Sequence, residues 1–188
     1  MAQERLITQI DYARAGKITL QMEAVAAKEH KTPEEIRAGV AKGCIAIPAN
    51  IHHAALSPEG VGEGMRTKVN VNLGISGDLM NAEMELEKVR TAIELGAEGI
   101  MDLSNHGKTH DFRKHLIDMS PAMIGTVPMY DAIGYLEKPL IGITAQDFLD
   151  VVRAHAEDGV DFVTIHAGMN RRTIENFKET GRLMNIVS

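Results

Sequence analysis

The amino-acid sequence predicts an α/β protein whose parallel strands and crossover helices form part of a TIM-like (βα) barrel. Short apolar runs, typical of buried parallel strands, alternate with amphipathic helical segments along the chain. The predicted strands are Cys44–Pro48, Lys68–Leu73, Gly99–Leu103, Ala122–Val127, Phe162–Ile165 and Met184–Val187. A closed eight-stranded barrel needs roughly 250 residues. The 188 residues of this chain are therefore expected to supply only about the first five or six strands.

Amphipathic helices are predicted between most of these strands. They cover Asn81–Leu95, Lys108–Asp118, Thr144–Glu157 and Arg171–Thr180. Gly96 and Gly181 follow the first and the last of these helices, and glycine commonly ends a helix in a left-handed conformation. Strands joined by helical crossovers pair in parallel, which favours a parallel sheet.

A helical extension, residues 1–43, precedes the predicted barrel portion, residues 44–188. Thr32 is a predicted helix N-cap, and Glu35 stands three residues later, where it closes a capping box. Gly43 is the predicted end of that helix. The chain is therefore divided into these two parts.

The composition excludes several classes of function. The net charge of −6 gives no support for binding nucleic acid or an anionic membrane. No apolar run approaches the roughly 20 residues that span a bilayer, and the amino terminus lacks the apolar segment of a signal peptide. A cytoplasmic location is the expectation. The single cysteine, Cys44, lies in an apolar run and is expected to be buried as a small hydrophobe.

Polar side chains and glycines stand at the ends of the predicted strands, where α/β proteins bind ligands. The segments concerned are 48–53, 70–74, 101–107, 125–130 and 164–168, together with Ser188. Groups of this kind suit a polar ligand with ribose and phosphate groups. A single Asn or Asp at such a position is more often a cap or turn residue, so the prediction depends on the whole row.

A metal site, as in a metal-dependent barrel hydrolase, is an alternative interpretation of part of this row. Its ligands would be Asp102, His106, His110 and His166. Spacing of four places two of these histidines on one helical face. However, Gly107 lies where that helix begins, and no acidic general base stands in an HExxH arrangement. The residues favour a polar-ligand site.

Several segments, taken in order, resemble one family. IPANIH, KVNVNLG, IMDLS, SPAMIGTVPMYDA, GVDFVTIHAG and NIVS are similar to the radical S-adenosylmethionine family of thiamin pyrimidine synthase, which also contains the anaerobic 5-hydroxybenzimidazole synthases of cobamide biosynthesis. The resemblance covers the chain from about Thr8 to Ser188. It implies an α/β barrel, followed by a segment in which three cysteines hold a [4Fe–4S] cluster. It further implies a lyase that cleaves S-adenosylmethionine to a radical and rearranges aminoimidazole ribotide.

The resemblance also implies the substrate contacts. Asn72, Met101, Tyr130 and His166 match family contact positions, and Ser188 matches the first residue of a Ser-Arg-Gly contact segment. No catalytic residue is assigned. The cluster cysteines and the two histidines of a second site, for zinc or iron, match nothing in this chain. The chain is therefore expected to be the amino-terminal portion of a homodimeric enzyme, and to be inactive and without metal or cofactor by itself.

Departures from the thiamin pattern lie beside the predicted pocket. The chain reads NVNLGISG at 70–77, DLSNHGKT at 102–109, and a long polar stretch at 169–182. On this ground the 5-hydroxybenzimidazole synthase branch is expected, with phosphomethylpyrimidine synthase of thiamin biosynthesis as the alternative. A metal-dependent hydrolase and a non-catalytic ribotide-binding module remain the other classes.

Overall fold

The computed structural model describes residues 7–77, 81–107, 109–136, 138–168 and 170–181. Three helices come first: α1 (Gln9–Arg14), α2 (Leu20–Glu29) and α3 (Pro33–Lys42). The Thr32 hydroxyl accepts a hydrogen bond from the Glu35 N–H, and the Glu35 carboxylate accepts one from the Thr32 N–H, which confirms the predicted capping box. Gly43, at φ 76°, ends α3 as predicted.

The predicted strand Cys44–Pro48 is wrong in its pairing. Its ordered part, β1 (Ile45–Ala46), pairs antiparallel with β2 (Val61–Gly62) in a separate two-stranded sheet. Ile45 is buried with the first three helices rather than with the parallel strands. Successive side chains of a strand point to opposite faces, so the burial of Ile45 leaves Cys44 exposed, against expectation.

Four other predicted strands form a parallel sheet, as expected. They are β3 (Asn70–Leu73), β4 (Gly99–Asp102), β5 (Met123–Thr126) and β6 (Phe162–Val163), in the order β3-β4-β5-β6. The predicted strand Met184–Val187 lies outside the described residues. The chain is thus a mixed α/β structure with a four-stranded parallel sheet.

The helices of this part are α4 (Ala82–Glu94), α5 (His110–Met119), α6 (Pro128–Tyr135), α7 (Ala145–Asp158) and α8 (Arg171–Thr180), with a 3₁₀ turn at Leu140–Gly142. All but α6 were predicted. The segment after β5 was expected to be a strand-end loop, but Pro128 occupies the start of a helix, where proline is well tolerated. Tyr130 therefore lies in the first turn of α6. Among the described residues, no helix is long and apolar enough to cross a membrane.

The strand register separates the sheet into two unlike faces. Leu73, Ile100 and Ile124 share one face and are buried against α4 and α5, where Val89 and Leu116 complete the core. The opposite face carries a row formed by Asn72, Met101, Gly125 and Phe162, each paired in register with the next. Asn72 is exposed, and Met101 and Phe162 are half-buried. Helices therefore cover one face, while the other keeps polar and accessible groups.

Candidate functional site

A cleft of about 510 Å³ lies at the carboxyl ends of β3 and β4. The residues that line this strand-end cleft include Asn72, Gly74, Glu85, Lys88, Asn105 and Tyr130. They come from two strand ends and from two helices, α4 and α6. The cleft thus lies at the edge of the sheet where ligands of parallel α/β proteins bind.

Asn72 and Met101 lie side by side because they are register partners on neighbouring strands. The Asn72 side-chain oxygen accepts a hydrogen bond from the Asn70 amide at 2.9 Å. The Thr164 hydroxyl approaches the Met101 sulfur at 3.8 Å. The open face of the sheet therefore ends in an amide and a thioether, which suit a polar group and a flat apolar group respectively.

Tyr130 and His166 meet at the ends of β5 and β6. Their ring centroids are 5.5 Å apart and the ring planes are inclined by 41°. Tyr130 is half-buried and His166 is exposed. Since Tyr130 also lines the strand-end cleft with Asn72, the structure brings these predicted contact residues to one edge of the sheet. Ser188 lies outside the described residues.

The exits of β3 and β4 are held close together at Gly74. A Cβ atom there would lie 2.6 Å from the Ser104 nitrogen, and φ is +148°, so only glycine fits without strain. The Ile75 N–H donates to the Ser104 hydroxyl at 2.9 Å, and the Asn105 N–H donates to the Ile75 carbonyl at 3.0 Å. These contacts fix the floor of the cleft.

Asp102 ends β4 but lies on the helix-covered face with its register partners Leu73 and Thr126. One carboxyl oxygen accepts hydrogen bonds from the Ser104 N–H at 2.9 Å and from the Ser104 hydroxyl at 2.5 Å. Burial raises the pKa of Asp102 and outweighs the lowering effect of these hydrogen bonds. Asp102 therefore stabilises the end of β4 and does not face the cleft.

The alternative metal ligands are not assembled. Asp102 is bound to Ser104, His166 lies against Tyr130, and the His110 Nδ1 atom pairs with Asp158 at 2.9 Å. Across the described ranges, no three His, Cys, Asp or Glu side chains come together to hold a metal ion. The geometry gives no support to the hydrolase interpretation.

A buried ion network is formed by Arg113, Asp131, His155 and Asp158. Two guanidinium nitrogens of Arg113 donate to one Asp158 oxygen at 2.8 and 2.7 Å, and the third donates to Asp131 at 3.1 Å. The His155 Nε2 atom lies 2.8 Å from the same Asp131 oxygen. Burial opposes ionisation of Asp131, but hydrogen bonds from His155 and Thr109 and the charge of Arg113 lower its pKa overall. Because Asp131 follows Tyr130, this network fixes the first turn of α6.

Sequence reasoning missed this network, although one signal for it exists. Arg113 stands three and four residues before Leu116 and Ile117, on the apolar side of α5. A cation on the buried side of an amphipathic helix requires anionic partners. The signal marks Arg113 but does not identify the partners.

The segment 48–53 was expected at the ligand-binding edge, and that prediction is wrong. Asn50 and His53 instead contact residues that precede β5 and β6, at the amino edge of the sheet. The His53 Nδ1 atom lies 2.7 Å from an Asp161 oxygen and its Nε2 atom 2.8 Å from the Ser120 carbonyl. The Asn50 N–H donates to Asp161 at 2.9 Å. The reason is that β1 does not belong to the parallel sheet, so its end does not meet the other strand ends.

Both ring nitrogens of His53 face acceptors, which is the arrangement of an imidazolium. Burial disfavours that charge, but the hydrogen bond and the charge of Asp161 prevail and raise the pKa of His53. A second group of ion pairs at the same edge joins Arg66 to Glu98 and to Glu59, and Lys68 to Glu29. The amino edge is therefore the place where the helical extension is fastened to the sheet.

The residues of this chain do not fit an iron–sulfur cluster. Such clusters are held by several thiolates, and the sequence contains one cysteine. Cys44 is exposed beside β1, in the part of the structure packed with α3. No ligand set for a cluster can be built from it.

The parallel sheet, covered by helices on one face, and the polar cleft at its strand ends place the chain among α/β proteins, a class in which ligands commonly bind at the carboxyl ends of the strands. The chain belongs to the Radical SAM ThiC family, whose model matches residues 8–188. This finding confirms the family resemblance seen in the sequence. It also ties the chain to a family of radical S-adenosylmethionine enzymes, with the cofactor and iron–sulfur cluster that this class uses.

Three similar proteins share the name phosphomethylpyrimidine synthase. The phosphomethylpyrimidine synthase of Alkaliphilus metalliredigens is 64% identical over 181 residues, which are 96% of this chain and 41% of that protein. Those of Clostridium tetani and Clostridium perfringens are 61% and 59% identical over 96% of this chain, and over 40% and 42% of their own lengths. The chain thus spans about two fifths of the length of these relatives.

The expected 5-hydroxybenzimidazole synthase branch is therefore wrong. The preference depended on departures at 70–77, 102–109 and 169–182, yet proteins named phosphomethylpyrimidine synthase are about 60% identical across the region that contains them. The alternative interpretation, phosphomethylpyrimidine synthase, is the one that the relatives favour.

Proposed function

We propose that this chain is the amino-terminal portion of a phosphomethylpyrimidine synthase of thiamin biosynthesis, and that the strand-end cleft is part of its site for aminoimidazole ribotide. The observation that carries the proposal is the high identity to enzymes of that name over nearly the whole chain. The convergence of Asn72, Tyr130 and His166 at one sheet edge supports it. The ligand is a phosphorylated ribosyl imidazole, which such polar groups suit.

The TIM-like barrel is part of the same proposal. A barrel has helices on its outside and side chains on its inside, so each strand shows one face to helices and one to the interior. Here Leu73, Ile100 and Ile124 face helices, and Asn72 and Met101 lie on the opposite side. The four parallel strands then form the first part of the barrel wall, with Asn72 and Met101 on its interior.

Each contact residue has a role that follows from its chemistry. Asn72 and Tyr130 bind ribose or phosphate oxygens through hydrogen bonds. His166 supports the phosphate or orients the ring, in contact with Tyr130. Met101 packs against the flat imidazole. The [4Fe–4S] cluster of the complete enzyme supplies radical chemistry from S-adenosylmethionine, and the residues described here bind and orient the ribotide without taking part in that chemistry.

The test uses the complete enzyme with its cluster reconstituted under anaerobic conditions. We expect hydroxymethylpyrimidine phosphate from ribotide, S-adenosylmethionine and a reductant. Tyr130→Phe and His166→Ala should each weaken ribotide binding by about tenfold, the effect of losing one charge-assisted hydrogen bond. Tyr12→Phe and His52→Ala are matched controls on residues remote from the cleft lining, and both should retain the wild-type affinity.

Two results would count against the proposal. Absence of the pyrimidine product from the wild-type enzyme would refute the assigned reaction. Unchanged ribotide affinity in both Tyr130→Phe and His166→Ala would remove those side chains from the site. We also expect the complete enzyme to be a homodimer, which sedimentation analysis measures directly.

A further inference from the structure

We propose that Asp131 is a positioning residue for Tyr130, and this role rests on the ribotide site proposed for the cleft. Asp131 follows Tyr130 directly in the first turn of α6, and it is 4% exposed. Tyr130 is half-buried and lines the strand-end cleft. One residue of this turn thus reaches the cleft, while the next is buried in the protein. The affinity for the ribotide would then depend on a carboxylate that does not itself bind the ligand.

The beginning of α6 has no side-chain cap. Its N-cap residue is Val127, whose side chain cannot accept a hydrogen bond, and Pro128 comes next. The Tyr130 N–H donates to the Val127 carbonyl at 2.9 Å, which closes one tight turn of backbone. A helix start is commonly fixed by a capping side chain. The direction of this first turn is therefore set by the contacts that Asp131 makes with other elements.

The Asp131 carboxylate is held by three side chains from the start of α5 and from α7. One oxygen accepts a hydrogen bond from the Thr109 hydroxyl at 2.7 Å. The other oxygen accepts one from Arg113 at 3.1 Å and lies 2.8 Å from the His155 Nε2 atom. Since both oxygens are occupied, the carboxylate cannot turn or shift without breaking at least one of these contacts.

His155 connects Asp131 to the end of β5. The Nδ1 atom of His155 lies 2.8 Å from the Thr126 hydroxyl, and both residues are 2% exposed. Thr126 is the last residue of β5, in register with Asp102 of β4 and Val163 of β6. A single imidazole therefore joins the first turn of α6 to the parallel sheet. The position of that turn relative to the strand ends is fixed by this connection.

The Tyr130 ring takes its place in the cleft from this turn. Its centroid lies 5.5 Å from that of the His166 ring. A tyrosine side chain has few rotatable bonds, so the position of its ring follows the backbone of its own turn. A displacement of about 1 Å in a substrate-positioning group can cost about 100-fold in activity. Loss of the Asp131 contacts should therefore weaken ribotide binding although no group that touches the ligand is removed.

The experiment is a double-mutant cycle on ribotide affinity in the complete enzyme. Aminoimidazole ribotide is titrated calorimetrically into the wild type, Asp131→Asn, Tyr130→Ala and the double variant. Asparagine keeps the shape of the side chain but loses the charge and one acceptor oxygen. Asp158→Asn is the matched control, because Asp158 is also buried and also paired with Arg113 but is not among the residues described at the cleft.

Asp131→Asn should weaken ribotide binding about tenfold when Tyr130 is present, and less than about twofold in the Tyr130→Ala background, where no ring remains to be positioned. Asp158→Asn should lower the midpoint of urea unfolding about as much as Asp131→Asn does, yet keep the wild-type affinity. This pattern separates a positioning role from a loss of stability, because lower stability alone would affect both variants alike.

Three results would overturn the assignment of Asp131. They are unchanged affinity in Asp131→Asn, equal losses of affinity in Asp131→Asn and Asp158→Asn, and the same loss with and without the Tyr130 side chain. If Asp131→Asn does not fold, His155→Leu and His155→Gln replace it. Glutamine keeps an N–H donor for Asp131 and should retain most of the affinity, whereas leucine should not, and equal affinities in these two variants would overturn the assignment. Failure of the wild type to bind ribotide overturns the proposed function instead, so the two failures are distinguishable.

Discussion

Replacement of Arg113 by methionine tests the buried ion network most directly. Arg113 is 2% exposed and donates four hydrogen bonds, two to Asp158, one to Asp131 and one to Thr109. Arg113→Met removes all four and leaves two carboxylates without their main counter-charge. Asp131 keeps His155 and Thr109, whereas Asp158 keeps only the pairing with His110 among the ion pairs described.

The expected loss of stability follows from the carboxylates that remain buried after the substitution. Removing one partner of a buried ion pair costs about 3–5 kcal/mol, because the other charge stays in a medium that solvates it poorly. With a urea m-value of about 2 kcal/mol/M, the unfolding midpoint should fall by about 2 M. Circular dichroism of the helices measures this transition, since the sequence contains no tryptophan to report it by fluorescence.

The matched control is Arg90→Met, which removes an exposed pairing with Glu83 at 3.4 Å. Surface ion pairs contribute about 0–1 kcal/mol, so the midpoint should scarcely change. Arg113→Lys keeps the charge but loses the forked geometry, and should give an intermediate loss if Arg113→Met does not fold. A loss below about 1 kcal/mol for Arg113→Met would refute the view that this network stabilises the fold.

Three further predictions concern stability and ionisation. The folded pKa of His53 is raised above 6.5, so its contribution is complete below about pH 6.5 and is lost as the pH rises through the folded value. His53→Gln should therefore flatten the dependence of the free energy of unfolding on pH in that window. Gly74→Ala should cost more than Gly96→Ala, by about 1–3 kcal/mol in chemical denaturation, because both glycines have positive φ but only the first meets backbone atoms. Asp102 should titrate above its ordinary value of 3.8 in carboxyl-carbon NMR, and Asp102→Asn should be at least as stable as the wild type at neutral pH.

Each of these has a clear contrary outcome. An unaltered pH profile in His53→Gln would show that the charged imidazole does not contribute to stability. Equal losses of stability in Gly74→Ala and Gly96→Ala would mean that the backbone segments at Gly74 move apart at no cost in free energy. A midpoint at or below 3.8 for Asp102 would show that burial does not dominate its ionisation.

Local signals predicted much of the fold. The start of α3 follows from Thr32 and Glu35, which satisfy each other's backbone donors within a few residues. The parallel strands follow from apolar runs separated by helices, since that spacing excludes hairpins. The pairing of β1 with β2 was missed because each strand contributes two residues and neither has a periodic pattern. Helix α6 was missed because TVPMY reads as the end of a strand, although Pro128 marks a helix start.

The candidate site was predicted in a different way. Residue patterns predicted only a row of polar residues at the strand ends. The resemblance to a family selected Asn72, Tyr130 and His166 from that row. The buried ion network could not be derived, because Arg113 finds its partners 18 and 45 residues away. Lys88 was overlooked because a lysine on a helix is usually a solvated surface residue.

The amino edge of the parallel sheet carries structural contacts, and the carboxyl edge carries the candidate ligand-binding residues. The pairing of Lys68 with Glu29, which joins the helical extension to the sheet, lies at the amino edge together with the pairing of His53 with Asp161. The residues that line the strand-end cleft lie at the carboxyl edge. Substitutions at the carboxyl edge should therefore leave the contacts between the helical extension and the sheet intact. Ligand preference could therefore be altered by randomising the residues around Asn72 and Lys88 at the carboxyl edge, while the residues of the amino edge are kept unchanged.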